Sequence, residues 1–186
     1  MAQRLELLAH GRTTRMRESI FGDPGQLVDP ESIALVEGWV GSWFRGPEGV
    51  CAETADALGG GNAEVIVALG GCDFGSWTSR SLADVGAEDP NGVRQWLNDP
   101  HASPHGGESL AQLVTRVGAA VDQRTWPEGR SVVVVAPLVA GALLVHVLDA
   151  PPAAIFKIDV PPLARLVVSR SGDSWRVRLG PMPPAP

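Results

Sequence analysis

Short apolar runs in the sequence predict buried β-strands. The segment RLELLAH, residues 4–10, begins with alternation and ends in a continuous apolar run before Gly11. The runs AEVIVALGG, at 63–71, and SVVVVAP, at 131–137, are rich in β-branched residues. Such runs are typical of strands that are buried on both faces of a parallel sheet. Residues 163–180 alternate with period two around SGD and predict a hairpin.

Segments with helical periodicity separate these strands. Residues 29–44 begin with a cap-like Asp29 and with Pro30 in the first helical position, and their apolar residues recur at helical spacing. Residues 106–124 carry the clearest pattern, an apolar stripe that follows Ser109 as the capping residue. Further helices are predicted at 53–60, 81–90, 91–100 and 138–150.

This order of elements predicts an α/β fold. We expect a three-layer α/β/α sandwich with a mostly parallel sheet and an antiparallel C-terminal strand. Residues 1–180 are predicted to form one domain, followed by the proline-rich tail PMPPAP at 181–186. Ligands bind beyond the carboxyl ends of strands in such sheets. The candidate loops are therefore 9–12, 70–75 and 136–139.

Composition and charge narrow the function classes. The chain is 44% apolar over 186 residues, which is enough for a sizeable core. Its net charge is −6 and its basic residues are scattered, which argues against nucleic acid as a partner. It has neither a signal-peptide pattern nor an apolar run of roughly 18 residues, so we expect a cytoplasmic protein without a membrane partner. Cys51 and Cys72 are expected to be free thiols.

Five segments match the motifs of one known family in order and spacing. Ala-His-Gly-Arg-Thr at 9–13 stands where that family has Arg-His-Gly followed by Glu/Gln-Thr. GPEGVCAETADAL at 46–58 is similar to SPLxRARxTAEAL, and 69–85 to LxExDFGxWEGxSLxEV. PHGGESLAQLVTRV at 104–117 is similar to PxGGESLxxLxxRV, and 132–162 to VLVVSHGGVIRALLAHLLGLPxxxFWRLDVPP. The chain therefore resembles the histidine phosphatase superfamily, in its phosphoglycerate mutase-like branch, over nearly its whole length.

The resemblance implies a degenerate active site. In that family a histidine attacks phosphorus, two arginines and a second histidine neutralise the phosphoryl oxygens, and a carboxylic acid protonates the leaving group. The nucleophile position is kept as His10. The arginine positions fall on Ala9 and Val50, the acid on Gly71 and the second histidine on Pro137. Because the loss of one such stabiliser typically costs about 10²–10³ in rate, we expect little of the ordinary reaction to remain.

The remaining candidates each have a functional and a structural interpretation. His10 is either a nucleophile or base, or a leftover imidazole hydrogen-bonded at a strand end. Asp73, two residues from the lost acid, either replaces it or supports the pocket. Arg12 and Arg15 either restore positive charge or are solvated. The residues expected to bind a ligand are Gly11, Arg12, Thr13, Arg15 and His105.

No cofactor and no metal are expected. His10, His105 and Cys72 are the nearest candidate metal ligands, and they lack ligand spacing. Trp39 and Trp43 either pack in the core or mark a partner surface. A homodimer is an open alternative because the family often dimerises.

Three functions follow from these residues. The first is a protein with little or no phosphatase activity, a pseudoenzyme with a binding or scaffold role. The second is an enzyme of altered chemistry that uses His10 on a small, less charged metabolite, since Ala9, Val50 and Pro137 suit a neutral or apolar ligand. The third is a weak phosphomonoesterase. If the chain is active, it is a histidine-phosphatase-like hydrolase or a repurposed pocket centred on His10.

Overall fold

A mostly parallel sheet forms the centre of the computed structural model, which describes residues 3–22, 25, 27–33, 39–172 and 174–178. Among these residues the strands are β1 (Gln3–Ala9), β2 (Ser42–Arg45), β3 (Glu64–Val65), β4 (Arg130–Val135), β5 (Arg165–Ser171) and β6 (Ser174–Arg178). They lie in the order β3-β2-β4-β1-β5-β6. The first four in this order are parallel, whereas β5 and β6 pair antiparallel. The predicted sheet is confirmed.

Helices cover both faces of the sheet. In the described residues they are α1 (Thr14–Arg17), α2 (Gly49–Ala57), α3 (Leu82–Glu88), α4 (Pro90–Asn98), α5 (Leu110–Asp122) and α6 (Pro137–Val147). Leu5 and Leu7 of β1 face an apolar cluster that includes α5 and α6, whereas Leu8 faces a second cluster that includes α2. Alternate residues of one strand therefore bury into opposite layers, as the three-layer prediction requires.

The helix predicted over 29–44 is wrong at both of its described ends. Pro30–Ser32 form a single 3-10 turn, and Ser42–Arg45 form β2, while residues 34–38 lie outside the described residues. A Cβ on Gly41 would lie 2.5 Å from the Arg130 carbonyl oxygen, so this glycine lets the chain approach β4 closely. Residues 42–45 form a strand despite their helical periodicity, because β2 pairs with β4 and this pairing buries Phe44.

The buried strand predicted at 63–71 is also corrected. Only Glu64–Val65 pair, at the edge of the sheet, and both are exposed. A 3-10 helix follows at Val67–Leu69, in which Val67 is 76% exposed and Leu69 is buried. An apolar run does not distinguish a central strand from an edge strand that turns into a short helix.

The other predicted elements are confirmed, with small shifts at their ends. Helices α2 to α6 fall within or beside the predicted ranges, and β5 and β6 form the predicted hairpin. The tail predicted at 181–186 lies outside the described residues. In the part of the chain that the structure describes, none of the helices combines the length and apolar character needed to cross a bilayer.

A buried carboxylate anchors the centre of the sheet. Glu6 of β1 is fully buried, and its carboxylate contacts Arg4, Arg130 and Arg165 at 2.6–2.7 Å. Burial alone would raise the pKa of Glu6, but the hydrogen bonds from Arg130 and Arg165 outweigh it and lower that pKa. Arg130 and Arg165 also stack on the Trp39 ring, each 5.0 Å from its centroid. This cluster ties β1 to both of its neighbours.

We expect Glu6→Gln to lower the free energy of unfolding by about 1–3 kcal/mol at pH 7, because it removes a charge-assisted partner of partly exposed arginines. Denaturant unfolding measures this, with Glu88→Gln, a largely exposed partner of Arg80, as the control expected to change little. Since the pKa of Glu6 is lowered by folding, its stabilisation is present above the unfolded pKa and is lost as pH falls through the folded pKa. Equal losses in the two variants at pH 7 would contradict the role given to Glu6.

Close packing joins α5 to α6 at a glycine. A Cβ on Gly118 would lie 2.4 Å from Nδ1 of His146. The His146 ring is held in place because its Nε2 contacts Asp122 Oδ2 at 3.0 Å. Trp175 of β6 donates to the other oxygen of Asp122 at 2.6 Å. Gly118 therefore permits α5 and α6 to approach closely. The contacts of Asp122 with His146 and Trp175 then connect both helices to the C-terminal hairpin.

Gly118→Ala should destabilise the protein by about 1–3 kcal/mol, because the methyl group meets a ring that cannot move freely. Helix propensity alone predicts the reverse, a gain of about 1 kcal/mol. Gly86→Ala in α3 is the matched control, since a Cβ there meets nothing within 4 Å. Thermal unfolding of both variants decides the matter, and a stabilised Gly118→Ala protein would refute the close contact.

Candidate active site

The predicted loops meet at one cavity beyond the carboxyl ends of the parallel strands. His10 directly follows β1, and its N–H extends the pairing by donating to the Val135 carbonyl at 3.0 Å. The cavity measures about 430 Å³. Its lining residues come from the ends of β1 and β4, the segment after α1, the starts of α2 and α6 and the segment between β3 and α3: His10, Ile20, Gly22, Glu48, Val50, Gly71, Cys72, Asp73, Phe74, Thr78, Ala136, Pro137 and Leu138.

The His10 imidazole is held in one orientation. The residue is only 4% exposed, and Nδ1–H donates to the Gly11 carbonyl at 2.8 Å. Burial lowers the pKa of His10, and this outweighs the opposing effects of the Gly11 carbonyl and of Glu48. The neutral ring therefore keeps its proton on Nδ1 and an acceptor lone pair on Nε2. No described residue donates a hydrogen bond to that nitrogen.

Gly11 and Thr13 set the backbone that carries His10. The Gly11 N–H donates to Thr54 Oγ1 at 3.0 Å, and the Thr54 hydroxyl in turn donates to the Val50 carbonyl at 2.8 Å. Thr13 caps α1, because its hydroxyl oxygen accepts from the Met16 N–H. These contacts connect the His10 loop to α2. Neither Gly11 nor Thr13 is among the residues that line the cavity.

The structure does not place the candidate arginines at the cavity. Arg12 donates to Asp29 Oδ2 from Nε at 3.2 Å and from Nη2 at 2.9 Å, and these bonds lower the pKa of Asp29. Arg15 is exposed. Among the described residues, the cavity lining contains neither arginine nor lysine.

The four positions that differ from the family motif do cluster. Val50, Gly71 and Pro137 line the cavity, and Ala9 is fully buried directly before His10. Pro137 is the first residue of α6, so one N–H is missing from a helix end that faces the cavity. The positions to which the resemblance assigns an arginine, a carboxylate and a histidine thus carry groups without charge at the cavity wall.

Sequence reasoning missed Glu48. Its Oε1 accepts a hydrogen bond from the Gly71 N–H, and its Oε2 lies 3.7 Å from Cys51 Sγ. A Cβ on Gly71 would lie 3.3 Å from Glu48 Oε1, so this carboxylate fills the space into which a side chain at position 71 would extend. The signal was present in the sequence, because Glu48 stands where the motif SPLxRARxTAEAL has leucine.

Asp73 lies at the exposed side of the cavity, and its Oδ1 accepts from the Gly75 N–H at 2.8 Å.

Cys72 also lines the cavity, but burial raises its pKa to about 12, so it is a thiol at neutral pH. Burial raises the pKa of Cys51 as well. In the described part of the chain, no group of three or more His, Cys, Asp or Glu side chains could hold a metal ion.

His105 lies behind the cavity wall and does not line it. Its ring packs against Phe74 and Trp77, with centroids 5.8 and 5.0 Å away. Nδ1 accepts from the Gly107 N–H at 3.1 Å, and Nε2 is buried without a hydrogen-bond partner among the described residues. Burial lowers the pKa of His105, and Asp73 partly opposes this. His105 therefore supports Phe74.

An ion pair holds the loop that carries Gly71. Arg116 of α5 contacts Glu108 through Nε at 2.8 Å and Nη2 at 2.7 Å. The same guanidinium donates to the carbonyls of Ala68, Gly70 and Gly71. Ser109 caps α5, as predicted, in a capping box with Gln112. The Arg116 guanidinium thus holds this loop in place, and it is not among the residues that line the His10 cavity.

The environment of His10 leads to a spectroscopic prediction. At pH 7 we expect a neutral imidazole with the proton on Nδ1, and a titration midpoint below the ordinary value of about 6.5. Long-range ¹H–¹⁵N correlation spectra of the chain, with His10→Gln for assignment, measure the tautomer and the midpoint. A proton on Nε2, or a midpoint above about 6.5, would contradict the geometry.

Comparison with known proteins places the chain in a family. The model of the histidine phosphatase superfamily (branch 1) matches residues 46–180. Bifunctional protein Rv2228c of Mycobacterium tuberculosis is 28% identical over 172 residues, which cover 84% of this chain and 47% of that protein. The chain thus spans about half the length of the curated relatives it matches.

Solved structures share the fold. The alpha-ribazole phosphatase from Shigella flexneri superposes with a TM-score of 0.77 at 16% identity, covering 95% of both chains. The mycobacterial glucosyl-3-phosphoglycerate phosphatase Rv2419c gives 0.74 at 20% identity, covering 95% of this chain and 97% of that one. These structural similarities show the fold alone. The family model, in contrast, matches most of the sequence. The chain belongs to the histidine phosphatase superfamily.

Proposed function

We propose that this chain has little or no phosphatase activity and acts by binding a small molecule in the His10 cavity. The observation that carries the proposal is the cavity lining, which has no arginine or lysine among the described residues and includes the carboxylates of Glu48 and Asp73. The chain therefore combines the fold of a phosphatase family with a pocket whose charges disfavour an anionic ligand.

Phosphate binding depends on cationic partners. Hydrogen bonds to charged groups contribute roughly 1.5–3 kcal/mol each, and a phosphate dianion normally uses several of them. Here the neutral His10 and two carboxylates face the space where such a dianion would sit. The negative charges of Glu48 and Asp73 would repel a phosphate dianion in this cavity, and no described arginine on the lining offsets this repulsion. Nucleophilic attack by His10 then has no phosphoryl group held beside it.

The structural neighbours reported above are phosphatases, which supports descent of this chain from that chemistry. This similarity of fold does not supply charged groups at the cavity wall. The three positions at the cavity wall carry valine, glycine and proline, which offer no charge-assisted hydrogen bond. A cytoplasmic location and a small-molecule partner are part of the same proposal.

Phosphatase assays test the proposal. With p-nitrophenyl phosphate, we expect kcat/KM to be at least about 10⁴-fold below that of an active family member, because several stabilisers are absent and each is worth about 10²–10³. His10→Ala should leave the residual rate unchanged, as should the control His101→Ala. Vanadate, which mimics a phosphoryl transition state, should not raise the melting temperature. Turnover that disappears only in His10→Ala would refute the proposal and support a weak phosphomonoesterase.

One observation favours a second function, an enzyme of altered chemistry. His10 lines the cavity with Nε2 free of hydrogen-bond partners among the described residues, so this nitrogen can act as a general base, and Asp73 lies on the same lining. A metabolite screen that follows proton abstraction or hydrolysis, with His10→Ala as the comparison, separates this function from binding alone.

A further inference from the structure

We propose that the cavity binds a small organic cation, an ammonium group attached to a compact apolar body, with Glu48 as its anchor. This rests on the proposed function, because it names the ligand class of the same site. The inference comes from the polar groups that the described residues present to the cavity, and from the character of the wall around them.

The charged side chains on the cavity lining are carboxylates, those of Glu48 and Asp73. The Thr78 hydroxyl can accept or donate, and the Cys72 thiol donates to the Glu108 carbonyl. His10 is 4% exposed and lines the cavity; its Nδ1 carries the proton and donates to Gly11, and its acceptor Nε2 has no hydrogen-bond partner among the described residues. Glu48 accepts from the Gly71 N–H through Oε1 and from the Cys51 thiol through Oε2, and each oxygen has a further lone pair available. A ligand that donates hydrogen bonds would satisfy these groups, and an anion would not.

An ammonium group matches this set better than other donors. It carries three donors and no acceptor, and its charge complements Glu48 and Asp73. A metal ion fits less well, because the described residues offer no group of three suitable ligands. The alternative of a neutral hydroxyl donor has no charge complementarity, so it becomes an outcome of the test.

The wall of the cavity specifies the rest of the ligand. The apolar part of the wall consists of Val50, Phe74, Pro137 and Leu138. It contrasts in polarity with the acceptor groups on the same lining. A second cavity of about 230 Å³ shares Pro137 and Leu138, and its other lining residues are Gly141, Ile155, Ile158 and Val160. Apolar walls with a few polar groups are typical of small-molecule sites, and about 430 Å³ holds a compact ring with one substituent.

Three probes that share a ring and differ in charge test the inference: benzylamine, benzyl alcohol and benzyl phosphate. Their dissociation constants for the full chain are measured at pH 7 by NMR titration. We expect benzylamine, as its ammonium ion, to bind at least about tenfold more tightly than benzyl alcohol, a difference that corresponds to one charge-assisted hydrogen bond. Benzyl phosphate should not bind.

Glu48→Gln should weaken benzylamine binding by at least about tenfold. The variant keeps an oxygen that can accept from Gly71, so the loop contact is retained. Glu128→Gln removes the same charge from an exposed site outside the cavity and should leave binding unchanged. If Glu48→Gln does not fold, Asp73→Asn, which keeps the acceptor for Gly75, takes its place with a smaller loss expected.

The outcomes separate this inference from the proposed function. Equal affinity for benzylamine and benzyl alcohol, equal losses in Glu48→Gln and Glu128→Gln, or no binding of benzylamine would overturn the cation site while leaving the absence of phosphatase activity untouched. Binding or His10-dependent hydrolysis of benzyl phosphate would overturn both. Selective binding of benzylamine that depends on Glu48 supports the inference.

Discussion

The parallel pairing of β1 with β4 is the constraint on which the rest of the structure depends. These strands lie side by side in the middle of the sheet, and their alternate side chains fill the apolar clusters on both faces. The pairing continues for one residue past β1, through the His10 N–H and the Val135 carbonyl. It therefore fixes His10 beside the first turn of α6. Glu6, held by arginines from both neighbouring strands, prevents these strands from separating.

The site combines the fold of the family with a cavity whose described lining carries two carboxylates and neither arginine nor lysine. His10 lies at the strand end with its ring oriented by Gly11, and Val50, Gly71 and Pro137 line the same cavity. Glu48 fills the space next to Gly71, and Pro137 leaves the helix end without one N–H donor. The proposed function follows from this chemistry of the wall, because stabilisation of a phosphoryl group depends on preorganised donors.

Local errors in the sequence-based fold have a common cause. Residues 42–45 show helical spacing of apolar side chains, yet they form β2 because β4 offers a strand edge to pair with. Residues 63–71 contain an apolar run, yet only Glu64 and Val65 pair, because the sheet ends there. Periodicity reports which faces could be buried, and tertiary pairing decides which are.

The sequence by itself determined the α/β class, the central strands, the long helices α5 and α6, and the family, because these depend on periodicity and on motifs that are local in the chain. It also predicted His10 as the nucleophile position and Ala9, Val50, Gly71 and Pro137 as altered positions, of which the structure brings all but Ala9 to one cavity lining. Only the tertiary structure decided where the charges lie. Arg12 pairs with Asp29, Arg116 supports a loop from behind, and Glu48 enters the cavity. The direction of a side chain and its partner depend on elements that are distant in sequence, so no local pattern specifies them.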